Sequence, residues 1–186
     1  MRNRLIDTKV LNTFICIISI MLLIVIGCKQ AEQVPQTNST TIEQIGLNIG
    51  ETAPNFTMNN QFGKPVSLKD FRGKVVVIDF WATWCGPCVA SIPKIKELNK
   101  KYSGDNFVLL GVSLDKDLEQ WKSFISQEQM DWTHIADGQN WNNAVAVRYQ
   151  IESIPNVWII DKEGKIVGKE LRGSAVESAL TTIMGK

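Results

Sequence analysis

Histidine and cysteine are scarce in this sequence, and neither sign of charge is in excess. There is one histidine, His134, and there are four cysteines among 186 residues. Four cysteines without regular spacing do not form the framework of a small scaffold that several disulfides hold together. The formal net charge is +1, so the composition indicates no electrostatic attraction to nucleic acid and predicts no nucleic-acid partner.

The first 27 residues have the pattern of a secretory signal. A basic start precedes a largely apolar run over residues 10–26, which ends in Gly27 before Cys28. The ending Val-Ile-Gly-Cys resembles a bacterial lipobox, in which the cysteine is lipidated and becomes the new N-terminus. We therefore predict a lipoprotein-type signal peptide over 1–27 and lipidation of Cys28. The alternative is an uncleaved transmembrane anchor, because the apolar run approaches the length that spans a bilayer.

Residues 28–48 are predicted to be a flexible membrane tether. They are rich in Gln, Thr, Ser and Asn, and such a stretch buries too little apolar surface to fold alone. The folded domain is predicted over residues 49–186, because the chain has room for one domain of ordinary size plus a tail.

Strands alternate with helices in the predicted domain. Nearly continuous apolar runs at 74–82 and 107–115 predict strands that are buried on both faces of a sheet. Helical spacing of apolar residues predicts helices from Val89 onward and across 117–128. The remaining predictions are two short strands around a turn at 59–64, a helix over 141–149, a hairpin over 156–171, a helix over 175–184, and Asp115 or Asp117 as the cap of the second helix. This order indicates an α/β sandwich.

Cys85 and Cys88 stand two residues apart, between a predicted buried strand and a helix. A zinc site needs two further ligands, and only Cys28 and His134 remain once the signal is removed. A structural disulfide at this spacing would close too small a loop to stabilise the fold appreciably. The pair is therefore predicted to be redox-active, with no metal and no organic cofactor.

The start of the helix gives a reason for thiol reactivity. Its N-terminus directs backbone N–H groups and the positive end of its dipole toward Cys85, which stabilises a thiolate. Pro87 suits the first turn, where its missing N–H costs little. Cys85 is therefore expected to be the exposed nucleophile, and Cys88, one turn later, the shielded thiol.

Asp79 is an acid in the middle of the predicted strand at 74–82. Burial should raise the pKa of its carboxyl group, because desolvation disfavours the charged form. The alternative is that the carboxylate turns to a polar group at the surface.

The sequence Trp-Cys-Gly-Pro-Cys at 84–88 resembles the active-site motif of thioredoxins. From about residue 49 to 186 the chain resembles the membrane-tethered TlpA/ResA-like thiol-disulfide oxidoreductases, with a central insertion over 115–150. The resemblance implies an α/β, thioredoxin-like fold, in which helices flank a central mixed β-sheet. It also implies an N-terminal β-hairpin ahead of the core.

Roles for individual residues follow from the same resemblance. Cys85 and Cys88 would form the redox-active disulfide, and Asp79 would accept a proton from Cys88. A cis peptide bond before Pro155 would offer backbone groups to an extended substrate beside the thiols; the alternative is an ordinary trans turn proline. The substrate-binding residues that the resemblance implies are Trp84, Gly86, Pro87, Ile154 and Pro155.

The implied activity is that of an extracytoplasmic thiol-disulfide oxidoreductase that reduces disulfides in exported proteins, apocytochrome c being one candidate. A transmembrane thiol reductase is the implied electron donor, and the chain is expected to be a monomer. A peroxiredoxin-type peroxidase is an alternative, but its proline and threonine before the reactive thiol are replaced by Ile78 and Ala82. A redox-inert folding or binding module is a second alternative, and the presence of both cysteines disfavours it.

Other conspicuous residues are assigned to packing or to the surface. A single histidine is more often a packing or surface residue than a catalytic one, and Arg148 is assigned to a solvated helix face. The tryptophans assigned to the core or to a lid are Trp121, Trp132, Trp141 and Trp158.

Overall fold

The computed structural model describes residues 44–185. The predicted signal peptide, most of the predicted tether and Cys28 lie outside the described residues. Within 44–185, no helix is both long enough and apolar enough to cross a membrane.

A five-stranded mixed sheet forms the centre of the described part. The elements in chain order are β1 (Thr57–Asn59), β2 (Pro65–Ser67), β3 (Val75–Trp81), α1 (Gly86–Tyr102), β4 (Phe107–Ser113), α2 (Leu118–Gln127), β5 (Thr133–Ile135), α3 (Ala144–Arg148), β6 (Asn156–Ile160), β7 (Ile166–Leu171) and α4 (Ser174–Met184). The strand order is β5–β4–β3–β6–β7. Strands β3, β4 and β5 are parallel to one another. Strand β6 pairs antiparallel with β3 on one side and with β7 on the other. The separate antiparallel pair β1–β2 is the expected N-terminal hairpin.

Strand β3 lies at the middle of the sheet and leads directly into the cysteine motif. All seven of its residues are buried, as its continuous apolar run predicts for a strand covered on both faces. Asp79 is its one charged residue, and it pairs in register with Gly111 of β4 and Val157 of β6. The sheet therefore holds this acid at its centre.

Helix α1 buries one apolar stripe and carries charge on its outer side. The buried residues of this stripe are Cys88, Ile92, Ile95, Leu98 and Tyr102. Lys94 and Lys101 both pair with Glu177 of α4, at 2.9 and 3.1 Å, so α1 and α4 lie side by side. These ion pairs are exposed to solvent and stabilise the contact only weakly, because water screens their charges. The apolar stripe therefore contributes most of the stability of α1.

One local prediction is wrong, one is settled between its two alternatives, and one strand was missed. The helix predicted over 141–149 is a short 3₁₀ turn, Asn140–Asn142, followed by α3, because Asn143 caps a new helix there. Asp117, not Asp115, caps α2 and accepts hydrogen bonds from the backbone N–H groups of Glu119 and Gln120. Strand β5 was not predicted, since three residues are too few to show a period of two.

Contacts with the folded domain extend to residues before the predicted boundary at 49. The backbone carbonyl of Gln44 accepts a hydrogen bond from the N–H of Thr52 at 2.9 Å. The ammonium group of Lys169 donates to the carbonyl of Leu47 at 3.3 Å. Residues 44–48 therefore contact the folded domain, because β7 offers them partners that are remote in sequence.

Candidate active site

A disulfide joins Cys85 and Cys88 at the start of α1, with their Cα atoms 5.2 Å apart. Cys85 is the N-cap of this helix, and its Sγ atom accepts a hydrogen bond from the backbone N–H of Cys88 at 3.2 Å. Pro87 occupies the first turn, where no intrahelical partner for its nitrogen is required. The N–H groups and the dipole of α1 are thus directed at the sulfur that begins the helix.

The exposure of the two cysteines differs less than the sequence predicts. Cys85 is 6% exposed and Cys88 is 2% exposed in the disulfide form. The expectation of an exposed Cys85 is wrong for the disulfide form. Cys85 is nevertheless the more exposed of the two cysteines, as expected. Trp84, Gly86 and Pro87 are exposed around the recessed sulfur atoms.

The peptide bond between Ile154 and Pro155 is cis, as the resemblance implies. Both residues are partly buried and lie directly before β6. The register of β6 against β3 pairs Asn156 with Phe80. The loop before β6 and the loop after β3 therefore meet at the same end of the sheet, which brings the cis-proline to the side of the sheet where the cysteines lie.

Asp79 is only 7% exposed, so its carboxylate does not turn to a polar group at the surface. Desolvation raises its pKa to about 7 from the ordinary value of 3.8. A carboxyl group with this pKa can exchange a proton near neutral pH, which an ordinary aspartate cannot do efficiently.

A second buried acid, Asp115, supports the loop that precedes the disulfide. Its carboxylate accepts hydrogen bonds from the hydroxyl of Thr83 at 2.6 Å and from the backbone N–H of the same residue. The hydroxyl of Ser113 donates to it at 2.7 Å. Sequence reasoning missed this function. The available signal was an acid just after a buried strand, because parallel strands bring their carboxyl ends together.

His134 is a packing residue on the edge strand β5, on the sheet face that also carries Asp79. Its ring lies 5.5 Å from the ring of Trp81 and 5.0 Å from that of Trp132, and burial lowers its pKa to about 3. Gly111 lies between Asp79 and His134 in the register of the sheet. A Cβ atom at Gly111 would stand 2.4 Å from Nδ1 of His134, so the missing side chain makes room for the imidazole.

The tryptophans assigned to core or lid divide into two groups. Trp121, Trp132 and Trp158 are buried, whereas Trp141 is 42% exposed and its ring lies 6.0 Å from that of Trp84. Arg148 is exposed as expected and also donates a hydrogen bond to the carbonyl of Asn55.

Comparisons with known proteins agree with this geometry. The family model described as Redoxin matches residues 48–183. The thiol-disulfide oxidoreductase ResA of Bacillus thuringiensis is 31% identical over 140 residues, which cover 75% of this chain and 79% of that protein. The thioredoxin-like protein YneN of Bacillus subtilis is 31% identical over 127 residues, 67% of this chain and 72% of that protein.

Solved structures extend the likeness to three dimensions. A thiol-disulfide oxidoreductase from Bacteroides fragilis has a TM-score of 0.66 at 31% identity, and the match covers 71% of this chain and 98% of that one. A thiol:disulfide interchange protein from a Bacteroides species has a TM-score of 0.67 at 32% identity, over 75% and 92% of the two chains. With its cysteine pair closed as a disulfide at a helix N-terminus, the chain belongs to the Redoxin family and is a thioredoxin-like thiol-disulfide oxidoreductase.

Proposed function

We propose that the protein works outside the cytoplasm as a reductant, which passes electrons from Cys85 and Cys88 to disulfides in exported polypeptides. The observation that carries this proposal is the position of the disulfide. It begins a helix, it lies on the side of the sheet where the cis-proline loop lies, and exposed residues surround it. Backbone groups of a loop before a strand can pair with an extended polypeptide.

The reaction transfers two electrons in two exchanges. The thiolate of Cys85 attacks one sulfur of the client disulfide, forms a mixed disulfide and releases the other client sulfur as a thiolate. The thiolate of Cys88 then attacks the sulfur of Cys85, which closes the intramolecular disulfide and releases the second client sulfur. The client disulfide is reduced to two thiols, and the protein dithiol is oxidised to a disulfide.

Asp79 is proposed as the group that removes the proton from Cys88 before the second exchange. Only the ionised carboxylate can accept this proton, and its raised pKa of about 7 makes it a stronger base than an exposed aspartate. The same pKa leaves a substantial fraction of Asp79 ionised at neutral pH.

Recharging of the oxidised protein requires an external dithiol, and we propose a transmembrane thiol reductase that carries cytoplasmic electrons outward. The chain acts as a monomer in this scheme. Disulfide-containing exported proteins are the clients, with apocytochromes c as one candidate class. The peroxidase alternative gains no support, because Cys85 and Cys88 pair with each other and Ile78 and Ala82 occupy the positions that its motif requires.

The direction of electron flow is tested by the equilibrium reduction potential of the disulfide. The residues between the cysteines, Gly86 and Pro87, resemble those of reducing thioredoxins. We expect a value near the thioredoxin value of about −270 mV, measured against glutathione redox buffers. A value near that of the oxidant DsbA, about −120 mV, would contradict a reductive function and indicate an oxidant.

The proposed membrane attachment depends on Cys28, which precedes the described residues. Cys28→Ala removes the thiol that would carry the lipid, so we expect an unlipidated precursor that retains its signal. Mass spectrometry of the protein extracted from the bacterial membrane measures the difference, with Cys16→Ala as the matched control in the same segment. The same lipid-dependent mass in wild type and Cys28→Ala would reject the lipoprotein prediction.

A further inference from the structure

Two large aromatic side chains stand exposed next to the disulfide. Trp84 is 51% exposed and Trp141 is 42% exposed, with 6.0 Å between their ring centroids. We call these two residues the tryptophan pair. Contiguous exposed apolar surface is typical of interaction sites, and tryptophan is one of the residue types enriched where binding energy concentrates.

The position of the tryptophan pair relative to the reacting sulfur follows from the chain itself. Trp84 directly precedes Cys85, which is 6% exposed. A client sulfur can form a bond to the buried sulfur of Cys85 only if the client chain contacts the surface around it. In an extended chain each residue advances about 3.3 Å, so the residues next to the client cysteine pass over the neighbours of Cys85.

Trp141 is held at this place by the central insertion. Its neighbour Asn143 is fully buried, and the side-chain amide of Asn143 donates to the carbonyl of Ser113 and to Asp137, each at 3.2 Å. Asp137 also accepts a hydrogen bond from the backbone N–H of Ala144 at 2.9 Å. The segment around Trp141 is thus anchored to the carboxyl end of β4.

The same strand end supports the other member of the pair. Ser113 donates its hydroxyl hydrogen to Asp115, and Asp115 binds Thr83, the residue before Trp84. One buried hydrogen-bond network therefore positions both tryptophans, although they come from separate parts of the chain. A surface that is rigid before binding loses less conformational entropy when a ligand binds.

We propose that the tryptophan pair binds an apolar side chain next to the cysteine of an unfolded client polypeptide, and that Trp141 determines this preference. Two indole rings offer apolar area and hydrogen-bond donors but no charge, so an aliphatic or aromatic side chain is the matching ligand. Such side chains are accessible beside a cysteine in unfolded chains and are buried in folded ones. The inference rests on the proposed function, because it names the clients of the same dithiol.

Two synthetic peptides test this preference. Each contains one intramolecular disulfide, and they differ only in the flanking residues, which are Leu and Phe in one peptide and Ser and Gly in the other. Hydroxyethyl disulfide serves as a third oxidant with no flanking residues. The full chain is reduced beforehand, mixed with each disulfide and quenched with acid, and the second-order rate constant of disulfide reduction is measured.

Trp141→Ala is expected to lower the rate constant for the apolar peptide about tenfold, the equivalent of about 1.4 kcal/mol. The rate constants for the polar peptide and for hydroxyethyl disulfide should change less than about twofold, because neither has an apolar side chain that could contact the ring of Trp141. Trp141→Phe should restore most of the rate with the apolar peptide. Phe62→Ala is the matched control, since Phe62 is also exposed, at 77%, but lies on the hairpin turn between β1 and β2.

The outcomes separate this proposal from the proposed function. If the wild-type protein reduces all three disulfides and Trp141→Ala slows them equally, Trp141 acts on the dithiol and the binding proposal is wrong. If Trp141→Ala slows none of them, the tryptophan pair does not contact clients, and the proposal is also wrong. If the wild-type protein reduces none of the three, the reductive function fails and this proposal fails with it.

Discussion

Cys88→Ser is expected to leave client proteins attached to Cys85 as mixed disulfides, whereas Cys85→Ser should capture almost none. The first exchange needs only the thiol of Cys85, and the second needs only that of Cys88. Removal of the second thiol therefore stops the reaction at the intermediate. Both variants should lose turnover with protein disulfides almost completely.

The two variants should differ for a structural reason. Cys85 is the N-cap of α1, and its Sγ atom accepts a hydrogen bond from the backbone N–H of Cys88 at 3.2 Å. A negative charge on this sulfur is therefore stabilised by the hydrogen bond and by the helix dipole. Cys88 lies one turn further along the helix and is the more buried of the two, at 2% against 6% exposure. Although each variant keeps one thiol, only the thiol of Cys85 is activated by the helix start and lies among the exposed residues Trp84, Gly86 and Pro87.

The measurement is a comparison of captured proteins under non-reducing and reducing conditions. Cells that express each variant are treated with acid to stop exchange, and mixed disulfides are identified by their release with a reductant. The double variant without either thiol is the control for non-specific capture. Equal capture by both single variants, or capture by Cys85→Ser alone, would refute the assignment of nucleophile and resolving thiol.

The captured proteins would also identify the client class. Apocytochromes c on Cys88→Ser would connect the protein with haem attachment, and a broad mixture would indicate a general reductant. If the tryptophan pair binds as proposed, the trapped cysteines should have apolar neighbours in sequence.

Asp79→Asn is expected to stabilise the protein at pH 8 by about 4 kcal/mol and to leave its stability at pH 4 nearly unchanged. Burial raises the pKa of Asp79 to about 7 from an ordinary value of 3.8. At about 1.4 kcal/mol for each pKa unit, this difference corresponds to about 4 kcal/mol. The amide has nearly the same shape as the acid and carries no charge at either pH.

The sign follows from proton binding. Between about pH 4 and pH 7 the folded protein holds a proton on Asp79 that the unfolded chain has already lost. Stability therefore falls as pH rises through this window, and the penalty is complete above the folded-state pKa of about 7. Asp79→Asn has no such group to ionise, so this part of the pH dependence disappears.

Denaturant unfolding of the oxidised protein at pH 4 and pH 8 measures the difference in the free energy of unfolding. Asp131→Asn is the matched control, because Asp131 is an exposed acid whose replacement should change stability by less than about 0.5 kcal/mol. Parallel stability curves for wild type and Asp79→Asn between these pH values would contradict a buried, protonated Asp79.

The same variant tests the proposed proton transfer. In the wild type, resolution of the mixed disulfide by Cys88 should accelerate as Asp79 ionises near pH 7. Asp79→Asn should slow it about tenfold at neutral pH, a modest effect for a positioned base, since solvent can also remove the proton. Stopped-flow measurement of resolution from pH 6 to 9 is the readout. Identical pH profiles would leave Asp79 without a function in the exchange.

The sequence alone determined most of the strands, most of the helices and the cysteine pair, because these depend on neighbours close in the chain. The continuous apolar run that became β3 and the Cys-Gly-Pro-Cys motif at a helix start are local patterns, and local patterns predict burial and helix ends. The direction of the pKa shift of Asp79 was predictable for the same reason, whereas its burial was one of two alternatives until the structure excluded a carboxylate turned to the surface.

Only the tertiary structure decided which distant residues support the site. Asp115 could be named from sequence as a candidate helix cap. Its partner Thr83 follows β3, whereas Asp115 follows β4, so the two become neighbours only when β3 and β4 pair in parallel. Trp141 could be assigned to core or lid, yet its place beside Trp84 depends on the anchoring of Asn143 to β4. Such contacts join residues far apart in sequence, and no local pattern specifies which strand ends will meet.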